Sequence, residues 1–487
     1  MGLPALNRLM SMQRDRRRRP TQGRNGLVTS SLAKRKDSPC IHDENSRLDK
    51  KSRYSGPPLL EDIWHHIHSL LPLRDAARVA CVSHSFRSSW SCFPNLSLTR
   101  ETLGLDDGMD GLSCPCEVAR DLARKTDHIL KNHSGIGVKA LKLEICDFPL
   151  FNTSCDLDRW LHIAVKPGIE ELDLQLIVSH AALCREKSHA ALCRKISQKS
   201  HATVYNFPCS LLDGSGKSIQ QLYLNNCALR PTIPSLLQQL SHLVVEECRN
   251  LEVIKSKAPH LYSFGYRGTL VRLSLGDSLQ NLYIDASDQD VVHHACADLL
   301  DVVPNLEALE ISSYYPMDTL VVPGKFLHLQ RLCIGLFTPD YDYLSLVSLL
   351  DACPSLETFV LSVEPDRVRQ ESVLGKSSHN LIQMPGHMHR NIKDVHIIGF
   401  CSANSMVELT CHILENVKSL EYLTLSTSGD DEILCSKSEN GICLRMNKYM
   451  RMEARKALLA VERHILGKVP STVELEVVKP CSRCNTL

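Results

Sequence analysis

The sequence predicts an α/β protein: a small module of three short helices followed by a curved solenoid in which each repeat supplies one strand and one helix. Three observations carry this. The pattern L-x-x-L-x-L, with Ile or Val freely exchanged for Leu, recurs ten times between residues 138 and 425. From residue 282 onward its central positions step by 27, 23, 27, 36 and 28 residues, the period of strand-and-helix repeats with one longer insertion. Ahead of the repeats, residues 57–97 carry three apolar stripes at helical spacing, each too short to bury its face alone.

Composition narrows the class before any motif is read. The chain has 487 residues, 43% of them hydrophobic, which is ample for a core and excludes a wholly disordered protein. It contains no apolar run of the roughly 18 residues that a membrane span needs. Residues 1–12 lack the unbroken apolar core of an export signal, so a soluble chain of the nucleus or cytoplasm is expected. The net charge of +1 hides an asymmetry: residues 1–56 hold fourteen Lys or Arg against five acids, a balance of +9 that leaves −8 on the rest. A mildly acidic body is a poor nucleic-acid surface. Residues 1–54 read as a disordered basic tail. Within it the clusters Arg16, Arg17, Arg18, Arg19 and Lys34, Arg35, Lys36 suit the acidic grooves of a nuclear import receptor.

The 21 cysteines are scattered and odd in number, so reduced thiols serving as small core residues are expected. Cys114 and Cys116 form one close pair, Cys481 and Cys484 another. Neither has a second pair at zinc-site spacing, so no metal and no cofactor are assigned.

The module at 57–97 reads in order. Ile63, Ile67, Leu70 and Leu71 share one helix face, and Pro72 ends that helix. Arg74 to Cys81 forms a second segment with Ala76, Ala77 and Ala80 turned inward and Asp75 in its first turn. Val82, Phe86 and Trp90 make the third stripe. The string Leu59-Leu60-Glu61-Asp62-Ile63, then Leu71-Pro72-Leu73-Arg74-Asp75-Ala76-Ala77-Arg78, then Val82-Ser83-x-x-Phe86-Arg87-x-x-Trp90 resembles an F-box. It departs at Leu60, where that family usually has Pro. The resemblance implies docking on the Skp adaptor of a cullin ubiquitin ligase through Leu59, Leu60, Ile63, Ile67, Leu71, Pro72 and Leu73. Val79, Val82, Phe86 and Trp90 would hold the helices together. The plainer alternative is a helical cap belonging to the solenoid.

The repeats centre on Leu141, Leu172, Leu222, Leu243, Leu282, Leu309, Leu332, Phe359, Val395 and Leu423. This period and pattern are those of leucine-rich repeats. Helical stretches precede several strands: 291–302, 343–352 and 406–416, the first two closed by Pro304 and Pro354. Frame residues point into the shared core, and those between them point to the concave face. On that face stand Glu171, Asp173, Tyr223, Asn225, Tyr283, Asp285, Glu310, Arg331, His396 and Tyr422. Tyr223, Tyr283, Glu310, Arg331, His396 and Tyr422 are the expected contacts to a target protein. Two irregularities stand out. A nine-residue tandem copy, Ser179-His-Ala-Ala-Leu-Cys-Arg185 and Ser188-His-Ala-Ala-Leu-Cys-Arg194, lies in a long insertion. The step from 222 to 243 is short, at 21 residues, and contains Pro231 and Pro234.

Asn391-Ile-Lys-Asp-Val-His-Ile-Ile-Gly-Phe400, with the helix at 407–416 and Leu420-Glu-x-Leu-x-Leu425, resembles the FBD segment of plant F-box proteins. The span 55–484 then resembles the plant F-box/leucine-rich repeat proteins, especially those of cereal grasses. The resulting divisions are tail 1–54, F-box 55–97, linker or helical cap 98–137, leucine-rich repeats 138–384, FBD-like repeats 385–478 and tail 479–487. The resemblance implies the target-recognition subunit of a Skp-cullin-F-box ubiquitin ligase, with adaptor, cullin complex and target protein as partners. The alternatives are a non-ligase interaction scaffold and a concave pocket for a small signal molecule.

Catalytic signatures are missing. Gly214-Ser215-Gly216-Lys217-Ser218 lacks the upstream Gly of a phosphate loop, position 211 being Leu, and it leads into a strand where such a loop must open a helix. His65-His66-x-His68, His293-His294 and His387-x-His389 lack zinc-protease spacing, and there is no G-x-S-x-G elbow. A non-enzyme is expected.

Overall fold

The computed structural model describes residues 60–82, 84–105, 115–146, 154–177, 205–229, 237–256, 258–269, 271–286, 299, 302–314, 324–338, 341–364, 370–375, 388–428 and 446–481. Leu59, the basic tail, the tandem nine-mer, Cys114, Cys484, His293, His294, His387 and most of the helix expected at 291–302 lie outside the described residues.

Seventeen strands are described: β1 Asn95–Leu98, β2 Ala140–Cys146, β3 Glu171–Ile177, β4 Tyr205–Asn206, β5 Gln221–Asn225, β6 Cys227–Ala228, β7 His242–Glu246, β8 Val253–Lys255, β9 Ser263–Arg267, β10 Arg272–Ser274, β11 Asn281–Ala286, β12 Ala308–Ser313, β13 Arg331–Leu336, β14 Thr358–Val363, β15 Asp394–Ile398, β16 Tyr422–Ser426 and β17 Glu474–Val478. Thirteen of them form one sheet in chain order, β1-β2-β3-β5-β7-β9-β11-β12-β13-β14-β15-β16-β17. Every neighbouring pair is parallel and in register, so Leu282 aligns with Leu309, Leu332 and Phe359 along the sheet. A parallel sheet that never changes direction of growth is the product of identical crossovers, which makes a curved α/β solenoid.

The frame residues do what their period demands. Leu141, Leu172, Leu222, Leu243, Leu282, Leu309, Leu332, Phe359, Val395 and Leu423 are all buried in one continuous core. The sheet is longer than the ten repeats read from the pattern. Phe93, Leu96 and Leu98 make β1 the first repeat, ahead of residue 138, and Leu261, Phe264 and Tyr266 supply β9. Aromatic rings at frame positions disguised both. Half-buried Val473, Leu475 and Val477 carry the edge strand β17.

β9 also shortens the spacing of the repeats around it. Central positions 222, 243, 264 and 282 step by 21, 21 and 18 residues, and β5, β7, β9 and β11 pair without a gap. Among the described residues these short connections hold no helix, and β8 pairs with β10, and β4 with β6, as two-stranded parallel ladders beside the main sheet.

A polar latch recurs at the turn into several strands. The residue just before the first frame position donates to a carbonyl of the preceding repeat: Ser278 to Leu261 at 3.0 Å, Asn305 to Asp277 at 3.0 Å, Ser355 to Leu327 at 2.6 Å, Asn391 to Pro354 at 2.8 Å and Ser419 to Ile392 at 2.7 Å. Each satisfies a turn carbonyl that the sheet ladder leaves open.

Nine α-helices are described: α1 Glu61–Ser69, α2 Leu73–Val82, α3 His84–Trp90, α4 Pro115–Lys131, α5 Ser154–Ala164, α6 Ser210–Ser215, α7 Val347–Asp351, α8 Asn404–Asn416 and α9 Lys448–Ala460. The helix expected at 343–352 is a 3₁₀ turn, Tyr343–Leu346, running into α7. α8 is buried from Ser405 to Leu414 on all sides, because residues 461–468 cover its outer face. Cys411 Sγ lies 3.7 Å from the His464 carbonyl, and Lys468 pairs with Glu415 at 2.9 Å.

Candidate docking surfaces

The three-helix module has an inner and an outer face. Inside, His68 packs among the rings of Phe86, Trp90 and Phe93, with centroids 5.1, 6.3 and 5.4 Å away. Trp64 meets Phe86 edge-on at 5.0 Å. Phe93 belongs to the first repeat, so the rings join module to sheet. Leu73 and Ala76 of α2 are likewise part of the same core as Leu96 and Leu98. The module is thus also the cap of the solenoid.

Outside, Ile63 and Ile67 are 40% and 37% exposed on α1, and Leu60 and Leu70 more so. The expected docking set divides accordingly. Leu60, Ile63, Ile67 and Pro72 are available at the surface, and Leu71 is half-buried against the core. Leu73 is only 6% exposed and is a core residue, a correction to its place among the docking residues: the turn at Pro72 swings it onto the sheet. Val82 is corrected the other way. It is 84% exposed at the end of α2 and holds nothing together, whereas Phe86 and Trp90 do. Ala77 and Ala80 are half-buried and only Ala76 is fully inside.

On the sheet face opposite the frame residues, register sets the neighbours. One row reads Lys142, Asp173, Tyr223, Val244, Gly265, Tyr283, Glu310, Cys333, Val360, His396 and Thr424. From Tyr223 on β5 to Tyr422 on β16 there are eight inter-strand steps, about 38 Å at the usual spacing. The six expected target contacts therefore make no single cluster.

Two of them are engaged by the fold. Tyr223 donates to Glu246, which also accepts from Asn225 at 3.2 Å. Tyr283 is only 4% exposed, donates to Asp285 at 3.2 Å and lies against Gly265, where a Cβ would come within 3.8 Å of its ring. That burial withdraws Tyr283 from target contact. Arg267 bridges Asp285 at 3.4 Å and Glu247 at 3.3 Å. Burial, and then the neighbouring carboxylates, push both tyrosines well above the usual phenol range. Burial also raises the Asp285 carboxyl, although Arg267 pulls the other way, and it raises Asp173 against the pull of Lys142 at 2.9 Å.

Glu246 and Arg267 were invisible as site residues. Arg267 sits on the strand whose aromatic frame escaped the pattern. At the far end of the face His396 pairs with Asp394 at 2.9 Å, Arg331 is half-buried with Nε unpartnered among the described residues, Glu310 is half-buried, and Tyr422 is 50% exposed.

The segment at 214–218 closes α6 and leads through a 3₁₀ turn into β5, with Ser218 Oγ accepting from the Gly168 N–H at 3.0 Å. Its backbone is committed to the fold rather than to a phosphate. Cys481 packs partly buried against Met446, Met450 and Ala454. Among the described residues no helix is long and apolar enough to cross a membrane.

A helical module on the end of a leucine-rich repeat solenoid defines the class: an F-box protein, whose architecture is typical of non-catalytic substrate receptors. Residues 59–97 match the F-box domain. Residues 129–233 and 232–482 match the family described as At1g61320/AtMIF1, LRR domain, which covers more than half the chain. The chain belongs to that plant family of leucine-rich repeat proteins. F-box domains in general bind Skp-type adaptors in Skp-cullin-F-box ligases. No curated protein matches the chain.

Proposed function

We propose that this chain is the substrate-recognition subunit of a Skp-cullin-F-box ubiquitin ligase. Leu60, Ile63, Ile67, Leu71 and Pro72, with Leu59, dock on the Skp-type adaptor, and the polar sheet face holds a target protein. The observation that carries this reading is the uncovered apolar stripe of α1. Ile63 and Ile67 stay exposed while Trp64 and His68 on the same helix are tied to the core. Covering the two-fifths of each that is still exposed is worth about 0.5–1 kcal/mol. The receptor contributes proximity rather than acid or base chemistry: it raises the target's effective concentration at the associated enzyme. Of the sheet residues, Tyr422, Arg331, Glu310, His396 and Tyr223 keep exposed or half-exposed surface for that target. The clusters at Arg16–Arg19 and Lys34–Lys36 serve nuclear import in this reading.

The test is a pull-down with a purified plant Skp-type adaptor, using the intact chain and an Ile63→Ser, Ile67→Ser variant, both checked by circular dichroism. The intact chain should bind and the folded variant should bind at least tenfold more weakly. Failure of the folded intact chain to bind would leave a non-ligase leucine-rich repeat scaffold. Import is read separately, by imaging a fluorescent fusion with Arg16–Arg19 changed to Ala.

A further inference from the structure

Between α2, Trp90 and α4 lies an open cleft of about 580 Å³ whose chemistry the receptor reading does not use. Its floor is apolar, built from Ala77, Trp90, Leu103 and Ile129. Its rim carries Arg74, Arg78, Arg124, Lys125 and His128, and among the described residues no carboxylate lines it. Arg78 and Arg124 are paired with Asp75 at 3.2 Å and Asp121 at 2.9 Å, and both stay largely exposed. Lys125 donates to the Leu103 carbonyl at 2.8 Å, which holds its ammonium at the wall. Arg74 has no carboxylate partner among the described residues, and its guanidinium lies beside the turn at Gly104, 3.7 Å from where a Cβ there would stand.

Arg78 and Arg124 share their charge with Asp75 and Asp121, so Arg74 and Lys125 are the rim cations without a carboxylate partner among the described residues, and beside an apolar floor they favour one kind of occupant. A neutral apolar molecule would leave the charge uncompensated. A small inorganic anion would leave Trp90, Leu103 and Ile129 uncovered. Only a molecule with an apolar body and an anionic end satisfies both, and the volume falls within the usual range for small-molecule sites, roughly 300–1,000 Å³.

We propose that this cleft binds an amphipathic organic anion, an aromatic or alicyclic body carrying a carboxylate, sulfonate or phosphate, with Arg74 as its principal counter-charge. The site joins the module to the first helix that follows it. An occupant therefore bridges α2 and α4 and stabilises that junction.

The probe is anilinonaphthalene sulfonate, titrated by fluorescence into the full chain, with neutral phenylnaphthylamine as the uncharged counterpart. A saturable single site is expected for the sulfonate, at least tenfold weaker in Arg74→Glu and restored in Arg74→Lys. An Ala77→Trp variant, which fills the floor, should lose the site while keeping its circular dichroism. Phenylnaphthylamine should bind more weakly and ignore the change at Arg74. Equal affinity for the two probes, non-saturable binding, or affinity unmoved by both Arg74→Glu and Ala77→Trp would overturn the proposal. So would loss of the signal in Ile63→Ser, Ile67→Ser alone, which would place the probe on the exposed stripe of α1.

Discussion

His68 donates from Nε2 to the carbonyl oxygen of Ala76 across 2.9 Å, and this buried bond ties α1 to α2. A ring nitrogen facing a carbonyl must carry the proton, so the neutral ring is the Nε2–H tautomer. Truncating the ring by His68→Ala would leave a cavity among Phe86, Trp90 and Phe93 and an unmet helix contact. A loss of about 2–4 kcal/mol in urea denaturation is expected, with adaptor binding reduced alongside. Ile67→Ser, one residue earlier and facing out, should weaken binding while leaving the unfolding midpoint nearly unchanged.

Gly135 is irreplaceable for a steric reason. Its φ is +72°, and a Cβ there would lie 2.1 Å from the Ile163 carbonyl oxygen at the end of α5. Gly135→Ala should cost upwards of about 3 kcal/mol, since strain in φ adds to a clash with backbone that cannot step aside. Gly137 has φ +76° but open space, with the Cys92 carbonyl 3.9 Å away. Gly137→Ala should cost about 1–2 kcal/mol, from φ alone. Urea midpoints of the two variants, measured side by side, separate the two effects.

His133 links stability to pH. Its Nδ1 accepts from the Gly135 N–H at 2.9 Å, and Nε2 donates to the Phe93 carbonyl at 3.0 Å, so the neutral ring is satisfied at both ends. Burial holds its pKa below the ordinary imidazole value, against the upward pull of the Phe93 carbonyl. With the folded pKa depressed, the unfolded chain takes up the proton first. The stability this ring contributes is complete above the unfolded pKa, about 6.5, and is lost as pH falls through it toward the folded value. Between about pH 7.5 and 5.5 the Tm of the intact chain should drop more than that of His133→Gln. Parallel curves would refute the assignment.

Frame and face residues should respond differently to truncation. Leu309 is buried between Leu282 and Leu332 in the register of the sheet, and Leu309→Ala should cost about 2–5 kcal/mol. Tyr422→Ala, on the exposed side of β16, should cost less than about 0.5 kcal/mol. Tyr223→Phe is intermediate. It removes one donor from the buried Glu246 carboxylate, and about 1–3 kcal/mol should be lost with no change in adaptor binding. Chemical denaturation and the pull-down together read all three.

Legibility followed how local the signal was. Ten of thirteen sheet strands are visible from spacing, because a parallel repeat must present the same apolar triplet at each turn. β1 and β9 were missed where Phe93, Phe264 and Tyr266 replaced aliphatic frame residues, and β17 where Thr472 stands at the first frame position. A pattern widened to aromatics at the frame positions would include β1 through Phe93, and β9 through Phe264 and Tyr266. The hydrogen-bonded set of half-buried Tyr223 and Arg267 with buried Glu246, Tyr283 and Asp285 lies on β5, β7, β9 and β11. Sequence alone gives each of them the look of a solvated strand residue.

The sequence by itself determined the architecture, the order of its parts and the F-box family resemblance, because periodic burial is written residue by residue into the chain. Which side chains are free to meet a partner was decided only by tertiary structure. Leu73 and Ile67 are equally apolar and six residues apart, yet Pro72 and the docking of α2 on β1 send one inward and leave the other out. Tyr283 and Tyr422 occupy strands of the same sheet, yet one is covered by its neighbours and the other is half exposed. Exposure depends on what packs across from a residue, and that information resides in elements far away along the chain.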